Sequence, residues 1–444
     1  MRRLTLLILI AFAAGGCALR NEVVITPIMV FPSDVNTRAA GVIEAEEQGD
    51  YRRAIAAAGL VENRPAPRAR ELLALGSSEM AAGLWDDARR HLRSALDHGP
   101  SREEAGRIAW SLSQTEYLAN NYAAALEWAK LARDRGLSIR EWHLDYLGSL
   151  AETRIYEFPS RFASTMPMEM GEPEIPRLAL RINDRREVRG IIDSGAVMSI
   201  VSETLAELSG VRSLGDYTGT FIGLLGEPIN VRFGVIDSLG LGELEVRNVP
   251  VAIMADDQLD FVVYNREPFR MDFLLGANLL KEFRIELDYR HEVITFQPLL
   301  AATRVPDPAQ NLFFVGFRPF VQTSINRKGW FLFILDTGSE ITFLNQERIA
   351  DTPVRRWVRY HGATLQGLGG VTKRGEKVED VEIGVDAWGG KFKHIPLYSA
   401  QGEAYGILGQ NFLKNFRVVL DFGSMRLDLY RDRAPFRRSA FDER

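Results

Sequence analysis

The chain has 444 residues and one cysteine, Cys17. No disulfide can form within it, so the folded state must rest on packed cores. Long apolar runs are missing too. The N-terminal one, Leu4 to Ala14, has 11 residues, too few to cross a bilayer as a helix. The six histidines, His91, His98, His143, His291, His361 and His394, show no metal-ligand spacing. There is no Gly-x-Ser-x-Gly elbow and no phosphate loop, so no metal or cofactor is expected. A net charge of -5, with no basic stripe interleaved with aromatics, gives no reason to expect nucleic acid as a partner. What is present, 46% apolar and 25% charged residues, is the composition of a globular protein. The length is too great for one ordinary core and calls for two or three domains.

Arg2 and Arg3 precede the short apolar run, and Ala14, Gly15 and Gly16 follow it, directly before Cys17. This layout reads as a secretory signal peptide over residues 1–16. A cysteine immediately after the small residues resembles the bacterial lipobox. That resemblance implies lipidation at Cys17 and attachment to a membrane. Ala18 at the next position implies the bacterial cell envelope, with the protein on the outer membrane and facing the periplasm. Residues 17–39 carry no clear period and read as a lipidated tether.

Residues 40–156 are rich in Ala, Leu, Glu and Arg at helical spacing. A short pattern recurs: Gly49-Asp50-Tyr51-Arg52-Arg53-Ala54, then Gly83-Leu84-Trp85-Asp86-Asp87-Ala88, with Ala54 and Ala88 34 residues apart. A looser copy is Asn120-Asn121-Tyr122-Ala123-Ala124-Ala125. With Gly76, Leu92, Ala95 and Pro100, the middle copy resembles the tetratricopeptide repeat. The resemblance implies an all-α helical repeat able to hold a protein partner. Residues 157–173 contain Pro159, Pro167 and Pro173 and read as a linker. Beyond them, short β-branched and apolar runs alternate with Gly, Asn and Asp, the pattern of an all-β region. Residues 433–444 are a charged tail.

The β region is duplicated, as residues 174–300 and 301–432. Asp193 and Asp336, 143 apart, each end an apolar strand and are each followed by a hydroxyl residue and a glycine: Ser194-Gly195 and Thr337-Gly338. Glycine-rich turns follow, Gly223-Leu224-Leu225-Gly226 and Gly367-Leu368-Gly369-Gly370. Each half then reaches two apolar residues and a glycine, Gly276 or Gly409. From there GANLLKEFRIELD and GQNFLKNFRVVLD agree at eight of thirteen positions. Gly276 and Gly409 are only 133 apart, so the first copy carries about ten extra residues, expected near Asp256 to Arg266.

This order resembles the pepsin and retropepsin group of aspartic peptidases. The resemblance implies a two-lobed fold in which Asp193 and Asp336 are the catalytic pair. One carboxylate activates a water and the other, protonated, hydrogen-bonds the substrate carbonyl. Two carboxyls within hydrogen-bonding reach resist ionising together and share one proton. Ser194 and Thr337 are expected to reach across between the loops. Gly195 and Gly338 are expected to let each loop bend behind its aspartate, and Gly276 and Gly409 to let a neighbouring strand approach. The two turns are expected to be flaps over an extended peptide or protein substrate, with Leu224, Leu225 and Leu368 pressing on it. No tyrosine lies between Phe221 and Arg232, unlike the first flap of pepsin-like enzymes. The sequence thus predicts a lipid-anchored aspartic endopeptidase acting on envelope proteins or peptides. The alternative is a non-enzymatic scaffold that keeps the fold for binding. Few sequence features tie residues 40–156 to the rest, so residues 174–432 are expected to fold without them.

Overall fold

The computed structural model of the protein describes residues 12–14, 23–28, 41–64, 67–184, 186–223, 227–262, 268–299, 307, 309–355, 357–360, 364–367, 370–372, 375–399 and 402–431. Cys17, Leu224, Leu225, Gly226, Leu368, Gly369 and the 433–444 tail lie outside the described residues. A helical region is followed by a β-rich one.

The helices are α1 (Val42–Glu47), α2 (Tyr51–Ala56), α3 (Ala58–Glu62), α4 (Ala69–Ala81), α5 (Trp85–Asp97), α6 (Arg102–Leu118), α7 (Tyr122–Asp134) and α8 (Glu141–Ala151). The recurring sequence pattern is a recurring turn. Gly49, Gly83 and Asn120 all adopt left-handed backbone, at φ of 72°, 75° and 61°. Glycine takes this conformation freely and asparagine more readily than most residues. Two residues later a helix begins on the aromatic, Tyr51, Trp85 or Tyr122. The alanines of the pattern, Ala54, Ala88 and Ala125, are fully buried where helices meet. A Cβ on Gly76 would lie 2.6 Å from Leu92 Cγ and 3.2 Å from the Leu92 backbone nitrogen, so α4 and α5 touch closely there.

Among the described residues, the β region is built on two nine-stranded sheets laid out alike. In the first, Arg186–Ile192 lies between Pro176–Ile182 and Phe273–Leu275. In the second, Lys328–Leu335 lies between Arg318–Ile325 and Gly406–Leu408. In both, the strand leading to the aspartate pairs parallel with the apolar-apolar-glycine strand: Ile192 with Leu275, and Leu335 with Leu408. A five-stranded sheet joins the halves, with Phe283–Asp288 antiparallel to Arg417–Asp421. The extra residues of the first copy form a short turn at Asp256–Leu259 and a hairpin that pairs Asp260 with Arg270.

Three sequence expectations change. The proline-rich segment 157–173 is not a free linker: Ser164–Pro167 is the outer strand of the joining sheet, paired with Val293–Pro298. Within the expected tether, Val24–Pro27 pairs with Trp388–Tyr398 and extends the second sheet. The helical region is also not a loosely attached module. Aromatic rings stitch it to both halves. Trp142 stacks on Phe233 at 5.7 Å and Tyr146 meets the same ring at 4.7 Å. Tyr51 meets Phe313 at 5.4 Å, Trp85 meets Phe314 at 6.2 Å and Tyr117 meets Phe317 at 4.7 Å. Polar contacts close the seam: Asn120 Nδ2 donates to Glu282 Oε1 (2.9 Å), Gln310 Nε2 to Ala82 O (3.1 Å) and Asn278 Nδ2 to Tyr156 Oη (3.0 Å). No local period shows such contacts in advance, because each joins residues far apart in sequence.

Candidate active site

Two apolar strands, Gly190-Ile191-Ile192 and Phe333-Ile334-Leu335, run into buried sheet interiors and deliver Asp193 and Asp336 to the same place. The Asp193 amide donates to Leu275 O (3.0 Å) and the Asp336 amide to Leu408 O (3.1 Å), so the parallel ladder continues up to each aspartate. The two loops hold each other through their hydroxyls. Ser194 Oγ donates to Leu335 O (2.7 Å) and accepts from the Thr337 amide (3.1 Å). Thr337 Oγ1 donates to Ile192 O (2.8 Å) and accepts from the Ser194 amide (3.0 Å). Four reciprocal hydrogen bonds in a fully buried setting fix the loops against each other.

Within each loop the inner carboxylate oxygen is held by backbone. Asp193 Oδ1 accepts from the amides of Gly195 (2.8 Å) and Ala196 (3.0 Å), and Asp336 Oδ1 from that of Gly338 (2.9 Å). Oδ2 of both aspartates is buried and takes no hydrogen bond from any other described residue.

The glycines beside the aspartates have a different role from the expected bend. Neither Gly195 nor Gly338 has a positive φ. A Cβ on Gly195 would instead lie 2.5 Å from Asp336 Cγ, and one on Gly338 2.4 Å from Asp193 Cγ. Each glycine makes room for the carboxyl of the opposite half, which sets the two carboxyls face to face. The expectation for Gly276 and Gly409 agrees with the geometry: a Cβ there would strike the backbone at Met198 C (2.3 Å) or Ile341 O (2.5 Å).

Sequence reasoning missed a brace behind those glycines. The Gly276 amide donates to Ser199 Oγ (3.0 Å) and the Gly409 amide to Thr342 Oγ1 (3.1 Å). Asn278 Oδ1 accepts from the Ser199 amide (2.7 Å) and Asn411 Oδ1 from the Thr342 amide (2.8 Å). The signal was present: Asn278 and Asn411 are an identical pair within the aligned GANLLKEFRIELD and GQNFLKNFRVVLD, and a polar side chain repeated at the same place inside two apolar runs asks for a partner.

Burial raises both carboxyls well above the usual aspartate range. For Asp193 the charge of Asp336 and the hydrogen bond to it add to the effect; the loop amides oppose it. A proton is therefore retained by the pair at pH values where an exposed aspartate has lost it.

Of the two glycine-rich turns, the arms are described. Gly219–Ile222 pairs with residues 228–231, closed by the Gly223 amide donating to Glu227 O (2.8 Å). In the second half Thr364–Gly367 pairs with Gly370–Thr372, Gly367 opposite Gly370. The three residues Phe12–Ala14 pair antiparallel with the outer edge of Thr364–Gly367. No group of His, Cys, Asp and Glu able to hold a metal ion occurs among the described residues.

Residues 178–279 match the family described as aspartyl protease, and residues 316–421 the family described as retroviral aspartyl protease. Each match contains one of the two aspartates. The β-rich part is therefore a domain of the aspartyl-protease type. Among solved structures, the chain is similar to a retropepsin-like aspartic protease from Rickettsia conorii. The identity is 17%, over 32% of this chain and 97% of that one, with a TM-score of 0.24. It is also similar to a protein called edgp, at 11% identity over 61% of this chain and 95% of that one, with a TM-score of 0.31. No curated protein matches the chain.

Proposed function

We propose that the protein is an aspartic endopeptidase whose two sheets are the two lobes of one active site, with Asp193 and Asp336 as its catalytic pair. The observation that carries this is the reciprocal hydroxyl grip, with the second oxygen of each carboxyl buried and given no hydrogen bond by the loops. A water held by the ionised member attacks the peptide carbonyl. The protonated member hydrogen-bonds the carbonyl oxygen and stabilises the charge that develops there. No covalent intermediate is required. The substrate is an extended peptide, added as a strand along flap backbone. In the uncleaved chain the edge of Thr364–Gly367 takes Phe12–Ala14 in this way, which supports that mode.

A peptide carrying a hydroxyethylene group in place of the scissile amide tests the reading, because it mimics the tetrahedral transition state. Calorimetry is expected to give one bound molecule per chain, and Asp336→Asn to weaken it strongly. A stoichiometry of one per two chains would show that the halves of one chain do not share a site.

The helical region is in this reading a tetratricopeptide-like array, supported by the turn that recurs at Gly49, Gly83 and Asn120. Its outer face is proposed to receive the protein substrate or a partner. The N-terminal pattern ending in Cys17 supports a lipid anchor in the bacterial envelope, with envelope proteins as substrates. Intact mass of the membrane-extracted protein is expected to show a chain that starts at Cys17 and carries acyl groups. An unmodified chain that still begins at Met1 would remove the anchor from the account.

A further inference from the structure

The strands Leu312–Val315 and Arg318–Ile325 are joined by a two-residue turn, with Val315 opposite Arg318. Gly316 stands first in the turn at φ 62°, a position that tight hairpins give to glycine. The second turn residue, Phe317, is gripped by the helical region: its ring lies 4.7 Å from that of Tyr117 and edge-on to Trp110 at 6.4 Å, both on α6. The next residue is Arg318. In the strand register Phe320 faces Ile334 and Val321 faces Phe333. Continued two residues further, that register sets Arg318 across from Asp336.

Arg318 is 8% exposed, and its Nη1 is buried with no hydrogen-bond partner among the described residues. A buried guanidinium is costly unless a negative charge lies close. Burial pulls its pKa down to about 10, while the charges of Asp336 and then Asp193 oppose that fall. At the offset that relates Asp193 to Asp336, the first half carries Ile175. Of these two equivalent positions only the second carries an arginine, which matches one shared negative charge.

We propose that Arg318 is a positioning residue for the aspartate pair: seated by the helical region through Phe317, its guanidinium stabilises the singly ionised pair and so sets the pH window in which the site works. The proposal rests on the peptidase reading above and adds a function for the helices, which reach the catalytic centre through one hairpin. Other titratable groups lie around this hairpin and the pair, among them Tyr146, which burial keeps protonated. Tyr117 and His143 lie on the helical side; burial holds the tyrosine protonated, up to about 12, and keeps the histidine neutral, down to about 4. Glu340 follows Asp336 by four residues and accepts from the Glu174 amide (3.4 Å), and Glu174 is paired with Lys414.

The sign of the effect is fixed. A nearby cation favours the ionised forms of the pair, so removing it raises both steps of the titration. Arg318→Met keeps length and burial and deletes the charge. Its bell-shaped activity profile is expected to move to higher pH, the acid limb by about one pH unit or more. Arg318→Lys keeps the charge and is expected to stay near wild type. A bell that does not move in Arg318→Met, or moves down, overturns the proposal. So does a lysine variant displaced upward by about one pH unit, a readout that remains if the methionine protein does not fold. A second readout needs no catalysis. In a double-mutant cycle read by thermal melting, Arg318→Met is expected to be more favourable in the Asp193→Asn/Asp336→Asn background, where the buried cation has lost its counter-charge, than in wild type. Additive effects would overturn the charge pairing. Coupling in a protein that cleaves nothing would leave the pairing standing and remove the peptidase reading instead.

Discussion

Asp193→Asn and Asp336→Asn are each expected to reduce peptide cleavage by about a hundredfold to ten-thousandfold while leaving the protein folded. The asparagine oxygen can still accept from the Gly195 and Ala196 amides, or from Gly338, so each loop keeps its hydrogen bonds. The hydroxyl grip does not involve either carboxyl and should persist. The amide cannot carry the shared charge or take a proton from water. Because the proton belongs to the pair, one substitution removes the acid-base function of both. Wild-type activity should be bell-shaped in pH, lost when both carboxyls are protonated and lost again when both ionise. Burial, and for Asp193 the charge of Asp336 beside it, place the alkaline limb above the ordinary carboxylate range. The melting temperature of each asparagine variant should equal or exceed that of wild type, since two buried carboxyls resist ionising side by side.

Deleting the helical region, residues 41–156, is expected to leave a β-rich fragment that does not fold to a soluble, cooperative unit. This reverses the expectation from sequence. Phe233, Phe313 and Phe314 are almost fully buried and meet Trp142, Tyr51 and Trp85, while Phe317 packs on Tyr117. Burying a large apolar side chain is worth about 1.5–3 kcal/mol. Several such losses together rival the roughly 5–15 kcal/mol that a whole domain has to spare. The exposed aromatic surface would also favour aggregation. Size-exclusion chromatography and a urea titration of the fragment give the answer. A monomeric fragment with a sharp transition and wild-type cleavage of short peptides would show that the interface contributes little.

The two halves were legible because both copies keep the residues that each step needs. Asp193 and Asp336 end apolar runs, hydroxyls and glycines follow at equal intervals, and Gly276 and Gly409 open a shared run of thirteen residues. Even the excess length of the first copy could be located, and it forms the hairpin that pairs Asp260 with Arg270. What could not be read is what depends on a partner far along the chain. Pro159, Pro167 and Pro173 signal irregular backbone, but Ser164–Pro167 pairs with Val293–Pro298 and forms the outer strand of the joining sheet. Gly195 and Gly338 look like bending residues until the opposite carboxyl is seen in the space a Cβ would fill. Arg318 reads as one of many arginines. Only the register with Lys328–Leu335, continued two residues beyond the Phe320–Ile334 pair, brings it toward Asp336.

The most direct test of the central claim is a peptide-library digest by the purified full chain, read by mass spectrometry beside Asp193→Asn and Asp336→Asn. The account predicts internal cleavages at peptide bonds in the wild-type digest and their loss in both variants. Cleavage that survives in either variant would contradict a single site built from both halves. A wild-type protein that folds and cuts nothing, from acid through neutral pH, would contradict the enzyme and leave a peptide-binding scaffold in its place.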